Sequence, residues 1–327
     1  IDSVLKNRRF VMDISFPEIE KFDRLPDPIA DGPLASVSIQ EGCSKYCKYC
    51  IVPYTRGPEV DRPFDDVLYE INTLAEQGVR EITMLGQNVN AYRGKRHDGQ
   101  SSDLGELIAY TAEIPGIERI RFMTSHPMEF NETLVQAYKN VPKLVSHLHL
   151  PIQSGSNRIL HEMGRYHSVE MYITLIERLR AIRPGLTLTS DFIVGYPGET
   201  EEDFEQTLDL VAKLNMDFSF SFIYSKRPGT PAADFPDDTP ESVKKARLDR
   251  LQELTDTQGR AITKNMQNTT VPVLVLGVSR RDPMLLMGKT ENNRAVHFSR
   301  GHQSMIGQIV PVMITELHAY GLGGYAT

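Results

Sequence analysis

Apolar and polar positions along this chain change rhythm twice. Up to about residue 33 no helical period persists, and Pro17, Pro26, Pro28 and Pro33 interrupt any long helix. Residues 1–33 therefore read as a linker or edge segment. From there on, short apolar runs alternate with stretches of helical period. The runs predict strands at Ala35–Ile39, Glu81–Leu85, Arg119–Thr124, Ser146–Leu150, Thr187–Val194 and near Phe218–Tyr224. A helix should open at Arg62-Pro63, with Asp65 and Asp66 in its first turn, Val67, Ile71 and Leu74 as its apolar stripe, and Gly78 as its stop. Further helices are predicted near Leu104–Glu113, Glu132–Lys139, Val169–Ile182 and Glu201–Leu214, and a long charged one over about Glu241–Met266. Beyond Met266 the period becomes two, with strands at Val271–Leu276, Leu285–Lys289, Arg294–Phe298 and Gln308–Leu317.

Strands that each lead into a helix imply a parallel sheet with right-handed crossovers. Six such units, two short of a closed eight-fold barrel, predict an α/β fold: an incomplete (β/α)6 barrel over residues 34–262, followed by a small all-β barrel or sandwich over 263–327. Polar residues gather just past the strands: Gln87, Asn88 and Asn90, then Ser125 and His126, then Gln153 and Ser154, then Ser225 and Arg227. In βα barrels that rim carries the chemistry, so these residues should meet at one mouth.

Composition changes this picture little; cysteine usage changes it a great deal. Hydrophobic content of 40% and charged content of 24% are ordinary for a globular protein, and no apolar run approaches the roughly 20 residues that span a bilayer. The net charge of −7 is uneven. Residues 264–327 hold six basic and three acidic side chains, so a weakly basic tail follows an acidic body, as suits a polyanion-binding appendage. The start, Ile1–Lys6, has neither Met nor an apolar signal region; we read it as the point where a longer, cytoplasmic protein has been cut.

All three cysteines, Cys43, Cys47 and Cys50, lie within eight positions as C-x3-C-x2-C, straight after the first strand. Such thiolates can ligate one metal centre and leave a tetrahedral zinc or a four-iron cluster one position short. Free buried thiols, a zinc completed by a distant His and a disulfide are the competing readings. Lys45 and Lys48 make the loop polar and would lower the thiol pKa values. Asp191 falls inside an apolar strand, so its charge needs a partner, an arginine for instance, or a function. His126 could shuttle a proton or serve structure, and Arg56, Arg62 and Arg227 are mouth-side candidates for RNA phosphates.

The cysteine spacing resembles the signature of the radical S-adenosylmethionine (SAM) superfamily. Ile51–Glu59, Leu85–Tyr92, Thr124–Pro127, Leu150–Ser156, Asp191–Thr200 and Lys289–Arg294 resemble its methylthiotransferases, and Gly86-Gln87-Asn88-Val89-Asn90 resembles the tRNA-modifying branch, since the ribosomal-protein branch usually has Ser-Gln-Asp-Thr there. The resemblance implies a [4Fe-4S] cluster on Cys43, Cys47 and Cys50, whose open iron chelates SAM. It implies SAM contacts at Gln87, Asn88, Gln153, Ser154, Asp191, Ile193 and Gly195. It also implies a TRAM-type RNA-binding domain at the end. The expected activity is methylthiolation of carbon 2 of N6-isopentenyladenosine next to the anticodon. It would use two SAM molecules, a flavodoxin-like or ferredoxin-like electron donor and a sulfur source, in a monomer. Complete members carry an amino-terminal domain with three more cysteines. Phe16–Asp23 resembles the segment after it, so this fragment is expected to cleave SAM without inserting sulfur by itself. Rival readings are a methylthiotransferase for threonylcarbamoyl-adenosine tRNA or for a ribosomal protein, and a non-catalytic RNA-binding module with a structural metal.

Overall fold

The computed structural model describes residue 22, residues 25–318 and residues 321–327. Most of the expected amino-terminal linker, Phe16–Lys21 included, lies outside the described residues. Of that linker, Pro28 and Ala30 are held by the side chain of Gln77, which donates to the Pro28 carbonyl and accepts from the Ala30 N–H, each at 2.8 Å.

Six strands, the fifth of them in two segments, run parallel in chain order. Leu34–Ser38 pairs with Glu81–Leu85, which pairs with Arg119–Phe122. A bridge from Ile120 to Leu144 leads to His147–His149, which pairs with Thr187–Thr189. The predicted strand over 187–194 is interrupted at Ser190, whose N–H turns to the Ser219 hydroxyl at 3.1 Å and whose hydroxyl accepts the Ile152 N–H at 3.0 Å. The chain then resumes as Asp191–Val194, paired with the last strand, Phe220–Ile223. Among the described residues no pairing joins the first strand to the last. The arc is open, as an incomplete barrel requires.

Helices cover the outside because their apolar stripes face the sheet. Phe64–Glu76 buries Phe64, Val67, Ile71 and Leu74, and Leu104–Glu113 buries Leu104, Leu107 and Ile108. Their starts are chemically specified. Asp103 and Glu106 close a capping box on one helix, and Thr200 and Asp203 on Glu201–Leu214. Glu132–Asn140, Val169–Ile182 and Glu241–Lys264 complete the set. None of the described helices is long and apolar enough to cross a membrane.

The tail forms a closed barrel of Thr270–Val278, Leu286–Lys289, Ala295–Ser299, Gly321–Ala326 and Ile309–His318, in that order around the wall. Its last strand, with three glycines in six residues, gave no alternation for the sequence reading to find. A core of Val273, Val275, Val296, Phe298, Val312 and Ile314 fills it, separate from the core of the large arc.

The two barrels meet at the amino-terminal end of the parallel strands. Arg119 donates to the carbonyls of Lys289 and Pro272, each at 2.9 Å, and Arg121 to the carbonyl of Glu291 at 2.8 Å. Arg294 forms a buried bidentate pair with Asp217, at 2.6 and 2.8 Å. One of the six basic residues of the tail is therefore spent on this junction.

Candidate active site

The site begins where the first strand ends. Gly42 has φ +81°, and a β-carbon there would stand 2.1 Å from the Pro58 carbonyl oxygen, so only glycine lets the chain turn into the cysteine loop. The Gly42 N–H donates to Gln87 Oε1 at 2.5 Å, and the Cys43 N–H to the Gly57 carbonyl at 3.1 Å. Cys47 is buried; Cys43 and Cys50 are half-buried, and all three thiols are free. The loop's far side is sewn to the barrel by the Lys48 N–H, which donates to the Met163 carbonyl, and by the Lys48 carbonyl, which accepts from Ala232. Beneath it lies a small apolar cluster of Ile159, Met163, Tyr196, Tyr224 and Ala232, against which Tyr49 and Ile193 pack.

Burial pushes the Cys43 thiol up to about 11, and the carboxylate of Glu59 and the other two thiols add to the rise. Burial also raises Cys50, offset in part by the Val52 N–H and the Arg165 guanidinium. The backbone N–H of Lys45 offsets part of the rise at Cys43, while the side chains of Lys45 and Lys48 are engaged elsewhere. Lys45 pairs with Glu129, and Lys48 stands 3.9 Å from Glu162 and over the Phe235 ring. Desolvated thiols that sense one another are costly as free thiolates, and a cationic iron–sulfur cluster would repay that cost. Among the described residues no three His, Cys, Asp or Glu side chains form a single-ion site.

Around the mouth, several buried polar atoms lack protein partners: Gln40 Nε2, Asn88 Oδ1, Ser125 Oγ, Arg165 Nε and His167 Nε2. They stand past the ends of successive strands and on the loop after helix Asn157–Glu162, where a polar cofactor would satisfy them. A cavity of about 250 Å³ lies beside the loop, lined by Tyr49, Cys50, Ile193, Phe222, Tyr224 and Arg227 among others. The donor set and its surroundings fit a cluster with SAM beside it.

The other anticipated residues divide. Ile193 lines that cavity next to Cys50. Gln87 holds the backbone of Gly42, and Asn88 donates from Nδ2 to Glu59 Oε1 at 2.9 Å, so both act on the loop from behind. Gln153 is buried in a left-handed conformation, φ +81°, with its backbone bonded to both Asp191 and Ile193. Ser154 is fully buried, its hydroxyl accepts the Ser156 N–H at 3.2 Å and it faces Thr207, so it joins loop to helix. The Gly195 N–H donates to Glu199 Oε2 at 2.7 Å, and a β-carbon there would strike the Lys244 side chain, so packing and φ +66° account for its glycine. Asp191 is half-buried and 3.7 Å from His149 Nε2, so its neighbour is a histidine and not the arginine considered from sequence.

Arg62 is buried on Glu70 and on the carbonyls of Ser38 and Asp66, which removes it from phosphate binding. Arg56 lies 3.5 Å from Glu41, while Arg227 is exposed at the cavity's edge. Burial, then the charges of Arg165, His167 and Lys45, push His126 down to about 2. Its Nδ1 accepts the Met128 N–H at 3.2 Å, the structural role rather than the shuttle. Sequence reasoning missed Arg165, a buried cation whose charge reaches Cys50 and Tyr49. It sits on a short loop after Gly164, without periodicity or motif to mark it.

Among protein families, the Radical SAM superfamily matches residues 37–211 and the TRAM domain residues 264–326. The tRNA-2-methylthio-N(6)-dimethylallyladenosine synthase of Francisella tularensis subsp. holarctica (strain FTNF002-00 / FTA) is 60% identical over 311 residues, which are 95% of this chain and 70% of that protein. The enzyme of the same name from Francisella tularensis subsp. novicida (strain U112) matches to the same extent. Among solved structures, the radical S-adenosylmethionine methyltransferase TsrM from Kitasatospora setae, with cobalamin and a [4Fe-4S] cluster bound, superposes with a TM-score of 0.50 at 19% identity, over 62% of this chain and 39% of that one. That likeness concerns the fold alone.

Proposed function

The chain belongs to the radical SAM superfamily and, within it, to the family of the tRNA-2-methylthio-N(6)-dimethylallyladenosine synthases, and from that membership we propose that it is the catalytic and RNA-binding part of a tRNA methylthiotransferase. Its reaction replaces the hydrogen on carbon 2 of N6-isopentenyladenosine, next to the anticodon, by a methylthio group. The observation that carries the reading is three free thiols on one loop at the carboxyl end of a parallel strand arc, beside a cavity shared by Cys50 and Ile193.

Cys43, Cys47 and Cys50 would hold a [4Fe-4S] cluster, and SAM would lie beside it, between the cavity next to Cys50 and the partnerless polar atoms around the mouth. When bound, the two would supply radical chemistry, which a C–H position inert to acid–base chemistry requires. The protein's own part is positional and electrostatic. Gly42 and Gln87 set the course of the loop, and Gly57 accepts from its first cysteine. Tyr49 and the cluster of Tyr196 and Tyr224 keep water from beneath it. Arg165 supplies buried positive charge beside Cys50. Burial and nearby charges keep His126 neutral, and its Nδ1 is taken by the Met128 N–H. The small barrel, at 263–327, binds the tRNA. The electron donor is flavodoxin-like or ferredoxin-like, a separate sulfur source is needed, and the protein works as a cytoplasmic monomer.

Anaerobic reconstitution tests this. About four irons with sulfide per chain, and 5′-deoxyadenosine formed from SAM under dithionite, are expected. One zinc per chain and no SAM cleavage would overturn the assignment and leave an RNA-binding module in its place.

A further inference from the structure

The inner face of the strand arc is layered, and the layers differ in chemistry. Side chains two apart on a strand share a face and lie about 6.6 Å apart along it. In the last pair of strands Asp191 is in register with Phe220, and Ile193 with Phe222. Their alternates Phe192 and Val194 are buried in the main core. The upper layer, Ile193 and Phe222, lines the cavity beside Cys50. The lowest layer is closed by charge. Arg121 donates to Glu81 at 3.1 Å and lies 3.3 Å from His147 Nδ1, and the small barrel's carbonyls cap both Arg119 and Arg121.

Between them lies a layer with unusual occupants. Phe220 is 60% exposed and Phe222 above it 57% exposed, although they stand on a sheet strand facing inward. Level with Phe220 is Asp191, and 3.7 Å from its carboxylate is the buried His149, whose Nδ1 lies 3.0 Å from Thr189 Oγ1. An aromatic wall that nothing in the described chain covers, ending in a carboxylate and an imidazole, is a receptor for a flat heteroaromatic ring with a polar edge.

Resting on the methylthiotransferase reading above, we propose that this middle layer seats the target adenine: Phe220 stacks on the base and Asp191 accepts the hydrogen bond of its N6–H. The occupant's chemistry follows from the wall. A flat ring with an N–H on its edge matches an aromatic face that ends in a carboxylate. A base that enters from the open side of the arc would lie directly below the cavity beside Cys50, its edge toward the cofactor layer.

The test is a binding cycle with the reconstituted chain and two anticodon stem-loop RNAs, one carrying N6-isopentenyladenosine and one abasic at that nucleotide. Stacking on one aromatic ring corresponds to about tenfold in affinity. Wild type should bind the first RNA about tenfold more tightly than the second. Phe220→Ala should lose that preference without a further loss on the abasic RNA, and Phe220→Tyr should keep it. Asp191→Asn should reduce the preference and leave the abasic affinity unchanged. A wild type indifferent to the missing base, or a Phe220→Ala variant that still distinguishes the two RNAs, overturns the assignment. Because Phe220 is exposed, its alanine variant should unfold at the wild-type temperature. Were it to fall apart instead, Phe220→Tyr and Asp191→Asn would carry the same cycle. Cluster content and SAM cleavage measured on wild type separate this outcome from failure of the methylthiotransferase reading itself.

Discussion

Gly42 decides whether the cysteine loop can exist in the form seen. Its φ of +81° lies where an L side chain costs on the order of 1–3 kcal/mol, and the Pro58 carbonyl leaves no space for a β-carbon. The turn also aims the Gly42 N–H at Gln87, which couples the end of the first strand to the end of the second. Gly42→Ala is therefore expected to fold, because the core of the arc does not include this residue, but to take up less than about half the iron of wild type on reconstitution. Full iron uptake with unchanged SAM cleavage would show that the loop tolerates another path. At this scale the three thiols and the glycine before them were visible in the sequence. The buried state of the thiols was not, nor was the loss of Lys45 and Lys48 to Glu129 and Glu162. Ion pairing depends on residues more than 80 positions away in the chain, as with Lys45 and Glu129.

Among the elements, the helix Glu201–Leu214 shows how one carboxylate serves several structures. Asp203 closes the capping box with Thr200 and accepts from the Ser156 hydroxyl at 2.6 Å and from Arg158. It thus joins the loop that follows strand His147–His149 to the helix after strand Asp191–Val194. Burial alone would raise its pKa, but the hydrogen bonds from Arg158, Ser156 and Thr200 bring it down to about 2. A carboxylate with a depressed folded-state pKa adds stability above its unfolded value of 3.8, and that stability is lost as pH falls toward about 2. Asp203→Asn should cost about 1–3 kcal/mol in urea unfolding at pH 7. Its stability should also fall less steeply than wild type below pH 4. Equal unfolding midpoints for the two proteins would mean that Arg158 and Ser156 find other partners. The periodic helices were legible because amphipathic stripes and caps are local. The break at Ser190 was not, because it answers to Ser219 and Ile152 on neighbouring segments.

For the whole molecule, the arrangement of the two barrels matters most. The small barrel docks at the amino-terminal end of the parallel strands, opposite the cysteine loop, through Arg119, Arg121 and the Arg294–Asp217 pair. A polyanion held by the tail's exposed Arg280, Arg281 and Arg300 would have to extend past the open side of the arc to reach the mouth. That suits an RNA hairpin better than a small ligand. At the junction His147 is buried, and burial first, then the charges of Arg121, His149 and Arg294, push its pKa down to about 3. A base with a lowered folded-state pKa stays neutral in the native protein while the unfolded chain takes up protons below its ordinary 6.5. Stability should then fall as pH drops below that value, by about 2 kcal/mol per such group between pH 6.5 and 5. His147→Gln should flatten this decline, as read by urea midpoints across the range. A variant with the wild-type slope would place the proton uptake elsewhere.

By itself the sequence determined the order of strands and helices, the change to a second all-β unit, and the location of the thiol chemistry. Each of these rests on spacing within a few turns of chain: period, caps and the C-x3-C-x2-C interval. Only the tertiary structure decided which polar residues face the mouth. It turned Ser154 and Arg62 into structural ties and gave Asp191 a histidine neighbour. It also set the buried Arg165 against the cysteines and left Phe220 and Phe222 bare on the inner wall. Those outcomes depend on contacts between segments distant in sequence, where burial and charge pairing are settled by packing, and no local pattern encodes them.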